Sequence, residues 1–195
     1  MTARKIPICG IILAAGKSSR MGSENKLTRM WRGKPLVRHV VDAAMASRLD
    51  RFAVVTGHEA ETVSAILPSD TPQFRNDAYE TGMASSILAG TYRLQGHAAT
   101  MILLGDMPLV SSDHINLLID AFESKKSQSA IVAATCDGKL GNPVLFGLDW
   151  FAPLKVLEGD KGARTLIEEN RHDLTTIEIG EAAKRDFDLP ADFTA

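Results

Sequence analysis

Apolar positions along this chain switch repeatedly between two spacings, and the switching predicts alternating strands and helices. Ile8 to Leu13 is a short continuous apolar run, the pattern of a strand buried on both faces. Phe52 to Thr56 and Thr100 to Leu104 repeat the pattern, and Gly105-Asp106 closes the second of these. Between the runs, Pro35 suits a helix start, and Val37, Val40, Val41 and Ala44 follow at helical spacing. Glu59 to Leu67 reads as a helix stopped by Pro68, Gln73 to Arg75 as a short strand, and a helix is expected to begin near Gly82. Ser111 or Ser112 can cap the helix carrying Ile115, Leu118, Ile119 and Phe122. Ala130 to Thr135 and Pro143 to Phe146 read as strands joined through the turn residues Asp137-Gly138-Lys139. Helices follow at Asp149 to Leu157 and Ala163 to Asn170, and Thr175 to Ile179 is a last strand. The alternation predicts an α/β fold, a mainly parallel sheet with crossover helices on both faces. Without repeats or linkers, residues 1–195 read as one domain.

The first strand empties into Ala14, Ala15 and Gly16, whose small side chains leave the backbone open to a flat base or a phosphate. Arg20 and Lys26 follow, a planar fork and a compact point charge suited to a triphosphate. Gly16-Lys17-Ser18 imitates the end of a Walker A loop, but position 11 is Ile11 where that loop needs glycine. The dinucleotide-binding glycine pattern fails too, because Gly16 and Gly22 lack a third glycine at the right interval. Asp106 sits at a strand end before Pro108, where a lone carboxylate suits Mg²⁺ that keeps most of its waters. Ligands of open α/β sheets lie beyond the carboxyl ends of strands, and Ala14 to Gly16, Asn76 and Asp106 all fall at such ends.

Composition narrows the partners. A formal net charge of −2 offers no bulk attraction to nucleic acid or to an anionic membrane. Cys9 and Cys136 are far apart and read as buried thiols of a reducing cytoplasm. The scattered histidines give no zinc spacing, and no Gly-x-Ser-x-Gly elbow supports a covalent serine route. Trp31 and Trp150 read as packing residues. Arg4 and Lys5 precede an apolar stretch, but Pro7 and Gly10 break it and cleavage would remove the loop, so it reads as strand. No apolar run approaches membrane-spanning length.

Leu13-Ala-Ala-Gly16 with Ser19-Arg20-Met21-Gly22 and Lys26 opens a series of motifs. Asn76, Gly82-Met83-Ala84-Ser85-Ser86 and Leu104-Gly105-Asp106-Met107-Pro108 continue it. Gly141-Asn142-Pro143-Val144-Leu145-Phe146, Gly159-Asp160-Lys161-Gly162-Ala163-Arg164 and Asp186-Phe187-Asp188-Leu189-Pro190 complete it. In this order and spacing the chain resembles the MobA-like NTP transferases, closest to the molybdenum cofactor cytidylyltransferases. The resemblance implies a Rossmann-like nucleotidyltransferase fold and transfer of CMP from CTP–Mg²⁺ to the terminal phosphate of molybdenum-bearing molybdopterin, with release of pyrophosphate. It also implies a molybdoenzyme client. A related transferase using GTP or another phosphorylated acceptor, and a non-catalytic cofactor carrier, are the alternatives.

In the register of that family Lys26, not the solvated Lys17, holds phosphate together with Arg20, and Asp106 binds metal. The family's late Asp-x-Asp-Thr-Pro segment corresponds to Asp186–Pro190, with Leu189 replacing threonine and Asp188 preferred over Asp186 as second metal ligand. Base recognition falls to Leu13, Ala14, Ala15 and Gly16, helped by Asn76, Ser85 and Ser86. Leu-Ala-Ala-Gly accompanies cytidine nucleotides in the family, and the Ala15 methyl is a physical reason to select the smaller base. Asn142 and Arg164 are the expected contacts to the acceptor.

Overall fold

The computed structural model describes residues 6–18, 24–93, 96–160 and 162–194. Its strands are β1 (Ile8–Ala14), β2 (Met30–Trp31), β3 (Lys34–Pro35), β4 (Arg51–Thr56), β5 (Gln73–Arg75), β6 (Ala99–Leu104), β7 (Ile131–Cys136), β8 (Lys139–Gly147) and β9 (Leu174–Glu178). The helices are α1 (Leu36–Met45), α2 (Ala60–Ala65), α3 (Met83–Arg93), α4 (Ser112–Lys125), α5 (Phe151–Lys155) and α6 (Arg164–Glu169). Seven strands form one sheet in the order β5-β4-β1-β6-β8-β7-β9. β1 runs parallel to both β4 and β6, and β4 to β5 and β7 to β9 are parallel too. Only β8 opposes its neighbours β6 and β7. The fold is therefore the expected Rossmann-like α/β nucleotidyltransferase sheet, mainly parallel with one reversed strand.

Alternation within the apolar runs sorts side chains to the two faces. Ile8 and Ile12 of β1, Val54 of β4 and Met101 and Leu103 of β6 pack beneath Val37, Val40 and Val41 of α1 and Ile115 and Leu118 of α4. Cys9 and Ile11 point the other way with Ala53 and Val55, while Ile102, Val144 and Phe146 meet Ile87 of α3, Leu154 of α5 and Ile167 of α6. Both faces are covered, which is why these strands read as continuous apolar runs. Each fully buried large aliphatic side chain contributes roughly 1.5–3 kcal/mol. Cys9 and Cys136 are both buried, and Cys9 Sγ lies 3.3 Å from Thr100 Oγ1.

Local differences have local causes. β8 starts at Lys139, not at Pro143, because Asp137 and Gly138 form a tight turn with positive φ, 50° and 73°, and Cys136 pairs with Lys139. Ser111, not Ser112, caps α4: its Oγ accepts from His114 N at 3.3 Å, and His114 Nδ1 accepts from Ser111 N. The β2–β3 hairpin is too short for the apolar pattern to reveal. No described helix is long and apolar enough to cross a membrane. β1 is the switch point of the sheet, since the chain leaves it to one side for β4 and later returns to the other for β6. The crevice beyond its carboxyl end is where such sheets bind ligands.

Candidate active site

A cleft of about 560 Å³ opens at that end, within the range of roughly 300–1,000 Å³ typical of small-ligand sites. One wall is built from the end of β1, its following loop, Lys26, and the carboxylates of Asp106, Asp186 and Asp188. The other is built from Tyr79, Glu80, Gly82, Met83, Ser86 and Asp160.

Asp106 is delivered by β6, as its place after the buried run requires. The C-terminal segment reaches it by one backbone hydrogen bond, Phe187 N donating to Asp106 O at 2.9 Å. Phe187 is fully buried and meets Trp31 and Phe193 edge-on, with ring centroids 5.1 and 5.4 Å away. Asp186 and Asp188 flank this buried anchor, and both bring their carboxylates to Asp106. One carboxylate oxygen from each of the three lies within 4.8 Å of the others.

Lys26 lies against this cluster. Its Nζ donates to Asp106 Oδ2 and to Asp188 Oδ1, each at 2.5 Å, and its side chain is only 12% exposed. Burial alone would lower the Lys26 pKa; the charges and hydrogen bonds of Asp106 and Asp188 outweigh it and leave the value above that of free lysine. The ammonium stays charged. Although Asp186 is exposed as a residue, partial burial of its carboxyl, then the charges of Asp188 and Asp106, raise its pKa. One ammonium cannot neutralise three carboxylates, and Asp106 Oδ1 is buried without a hydrogen-bond partner among the described residues. Clustered hard oxygens with one still unpartnered fit a small divalent cation.

The loop after β1 is held through its carbonyls. Leu13 O accepts from Gly105 N at 2.9 Å and Ala15 O from His58 N at 3.2 Å. Ala15 packs so closely on Gly57 that a Cβ there would stand 2.7 Å from both Ala15 Cβ and Tyr79 Cβ. On the far wall Gly82 has φ +111°, and a Cβ there would strike the backbone of Gly159 at 2.5 Å. Ala84 N donates to Gly159 O at 3.0 Å, which brings Asp160 to the cleft. Lys17 is exposed as expected, but it is not simply solvated: its Nζ pairs with Glu80 Oε1 at 2.7 Å across the cleft mouth.

The profile of the MobA-like NTP transferase domain matches residues 10–174. The chain belongs to this family. It is thereby an enzyme of the nucleotidyltransferase superfamily. The transferase is 32% identical over 175 residues to the purine catabolism protein PucB of Bacillus subtilis, covering 84% of this chain and 82% of that one. It is 28% identical to the bifunctional protein GlmU of Janthinobacterium over 88% of its own length, but spans only 35% of that protein. Among solved structures it resembles Rv0371c of Mycobacterium tuberculosis with TM-score 0.84 and 24% identity, covering 97% of this chain and 96% of that one. That protein has also been solved in complex with manganese, and this form matches with TM-score 0.81.

The transferase's expected site residues separate into four groups. Leu13, Ala14, Ala15, Gly16, Lys26, Ser86, Asp106 and Asp188 line the cleft. Asn76 and Ser85 lie behind it: buried Asn76 donates through Nδ2 to Ser85 Oγ at 2.8 Å and Ser86 Oγ at 3.0 Å, and its Oδ1 accepts from Ala78 N at 3.0 Å. Its polar atoms are occupied in holding the segment that carries Ser86. Asn142 and Arg164 are not among the cleft residues; Arg164 lies exposed on α6, paired with Glu168 one turn on at 3.0 Å. Arg20 falls outside the described residues, as do Ser19, Met21, Gly22 and Lys161. At the Leu189 departure, hydrogen bonding comes from Asp192, whose Oδ2 accepts from Asp188 N at 2.9 Å and Leu189 N at 2.8 Å. Tyr79, Glu80 and Asp160 were not legible as cleft residues, because only the tight approaches at Gly57 and Gly82 bring them there.

Proposed function

We propose that this enzyme moves CMP from CTP–Mg²⁺ onto the terminal phosphate of a molybdopterin-type acceptor bearing molybdenum, forming a cytidine dinucleotide cofactor for a molybdoenzyme client. The observation that carries the metal-dependent transfer is the meeting of Lys26, Asp106 and Asp188 beneath the small-residue loop. The choice of cytidine is supported by Ala15, a cleft-lining residue whose methyl packs against Gly57 and fills space that glycine would leave open.

The ion would be held by Asp106 and Asp188 with Asp186 beside them, and when bound it supplies charge neutralisation on the triphosphate. The manganese complex of Rv0371c supports a divalent ion in this fold. The open backbone of Ala14 to Gly16 seats the nucleotide. Lys26, charged throughout the neutral range, and Arg20 draw in the β- and γ-phosphates and offset charge as it moves onto the leaving group. An acceptor phosphate oxygen bonds to the α-phosphorus in line, the bond to the bridging oxygen breaks, and pyrophosphate leaves with the electron pair. The attacking phosphate is already ionised near neutral pH, so no residue has to remove a proton. Alignment and charge neutralisation are the catalysis.

The test is pyrophosphate release across the four ribonucleoside triphosphates and a panel of phosphorylated acceptors, with the product mass determined. Fastest release with CTP and a molybdopterin-type acceptor, and a product heavier by CMP, is the expected result. Preference for GTP would end the cytidine assignment and leave the transferase. Acceptor binding without turnover on any nucleotide would mark a carrier instead.

A further inference from the structure

Asp186 to Leu189 lie in no helix or strand, yet this segment carries two of the three cleft carboxylates. Regular elements fix side chains through their ladders; an irregular segment needs individual fasteners. Two have been described: the bond from Phe187 N to Asp106 O and the burial of the Phe187 ring against Trp31 and Phe193. Both act at residue 187, and the Lys26 ion pair holds only the tip of the Asp188 side chain, so the backbone of Asp188 needs a fastener of its own.

The third fastener is local to Asp188. The turn Pro190–Thr194 folds back, with Asp192 N donating to Leu189 O at 3.0 Å. This brings Asp192 Oδ2 onto the N–H groups of Asp188 and Leu189, at 2.9 and 2.8 Å. Leu189 has no polar side-chain atom and is half exposed, so an acceptor for these donors must come from elsewhere in the segment. One side-chain oxygen receiving two successive backbone N–H groups ties both peptide units at once. Asp192 itself neither lines the cleft nor belongs to the carboxylate cluster.

We propose that Asp192 is a positioning residue: by binding both N–H groups it fixes the backbone at residues 188–189 and so holds the Asp188 carboxylate opposite Asp106. This rests on the reading of Asp106 and Asp188 as metal ligands. Partners that orient a metal ligand typically contribute about 10–100-fold in metal affinity.

The experiment titrates Mn²⁺ against the full chain, with free ion counted by electron paramagnetic resonance, and follows Trp31 emission in a Trp150→Phe background. Asp192→Ala is expected to weaken Mn²⁺ binding about tenfold, at the lower end of that range. Asp192→Asn is expected to stay within about twofold of wild type, because its amide oxygen still accepts both donors. Trp31 emission should be unaltered in both, since the aromatic cluster is untouched. If Asp192→Ala binds Mn²⁺ like wild type while Asp188→Ala is weakened, the positioning role is refuted and the metal reading stands. If Asp106→Ala and Asp188→Ala bind like wild type, the metal reading falls and this proposal with it. Equal weakening in Asp192→Ala and Asp192→Asn would mean that charge, not the acceptor, matters. A red shift of Trp31 in Asp192→Ala would show that Asp192 docks the whole segment. Either result overturns the proposal.

Discussion

The two walls of the cleft are built on different principles. On the carboxylate wall the polar side chains are tied to named partners: Lys26 to Asp106 and Asp188, Asp106 O to Phe187 N, and Asp192 to the backbone of Asp188. Beneath it lies an aromatic cluster of Trp31, Phe187 and Phe193. On the opposite wall Glu80, Met83 and Asp160 are exposed, and the wall is shaped by close backbone approach at Gly82. Phosphate and metal chemistry needs atoms fixed to a fraction of an ångström, whereas recognition of a particular acceptor can sit on exposed turns that vary freely. On the reading proposed above, the reaction belongs to the first wall and recognition of the acceptor to the second.

The comparison breaks most completely if the aromatic support is removed. Phe187→Ala should lose about 3–5 kcal/mol of stability, the usual cost of emptying a buried aromatic site. Because Asp186 and Asp188 flank the lost ring, transfer activity should vanish even at temperatures where chemical denaturation shows the sheet still folded. Retained activity would mean that the segment is held without its anchor.

A sharper contrast uses the two lysines of the loop region. Lys26→Ala should slow transfer on the order of 10²-fold, the effect of losing one preorganised charge at a reacting centre. Lys17→Ala should change catalytic efficiency little, because Lys17 is half exposed and its only described ion pair is with the exposed Glu80. Steady-state kinetics on both variants decides this, and equal losses would mean that the Lys17–Glu80 pair matters as much as the fixed carboxylate cluster.

The smallest effect concerns the base. Ala15→Gly should shift the ratio of CTP to GTP efficiency toward GTP by at most roughly 1–3 kcal/mol, without reversing it. The methyl lies against Gly57 and is almost wholly buried, so only part of the freed space opens to the base. An unchanged ratio would move selectivity to the opposite wall.

Much of this was legible in the chain. Runs such as Ile8–Leu13 and Thr100–Leu104 had to be strands covered on both faces, and the small-residue loop and Asp106 had to lie at their carboxyl ends. The insertion of β8 between β6 and β7 was not legible, because apolar alternation carries no sign of strand order. Asn76 falls just past the end of β5, and its side chain bonds Ser85 and Ser86; a sequence does not reveal whether a buried amide faces a ligand or its own neighbours. Arg164 looked suited to clamp a phosphate at a helix start, yet α6 turns it outward to Glu168. Asp186 and Asp188 could not be separated by pattern, and the structure explains why: both carboxylates reach the same cluster.

The most direct test of the central claim is divalent-ion-dependent pyrophosphate release by Asp106→Ala, measured beside its thermal unfolding midpoint. The carboxylate projects from the strand end into the cleft, so its loss removes little core volume and the midpoint should move only slightly. Release should fall by a factor on the order of 10³ or more. Asp188→Ala should behave alike and Asp186→Ala more mildly. Near-normal release by Asp106→Ala at every ion concentration, with the fold intact, would contradict the account.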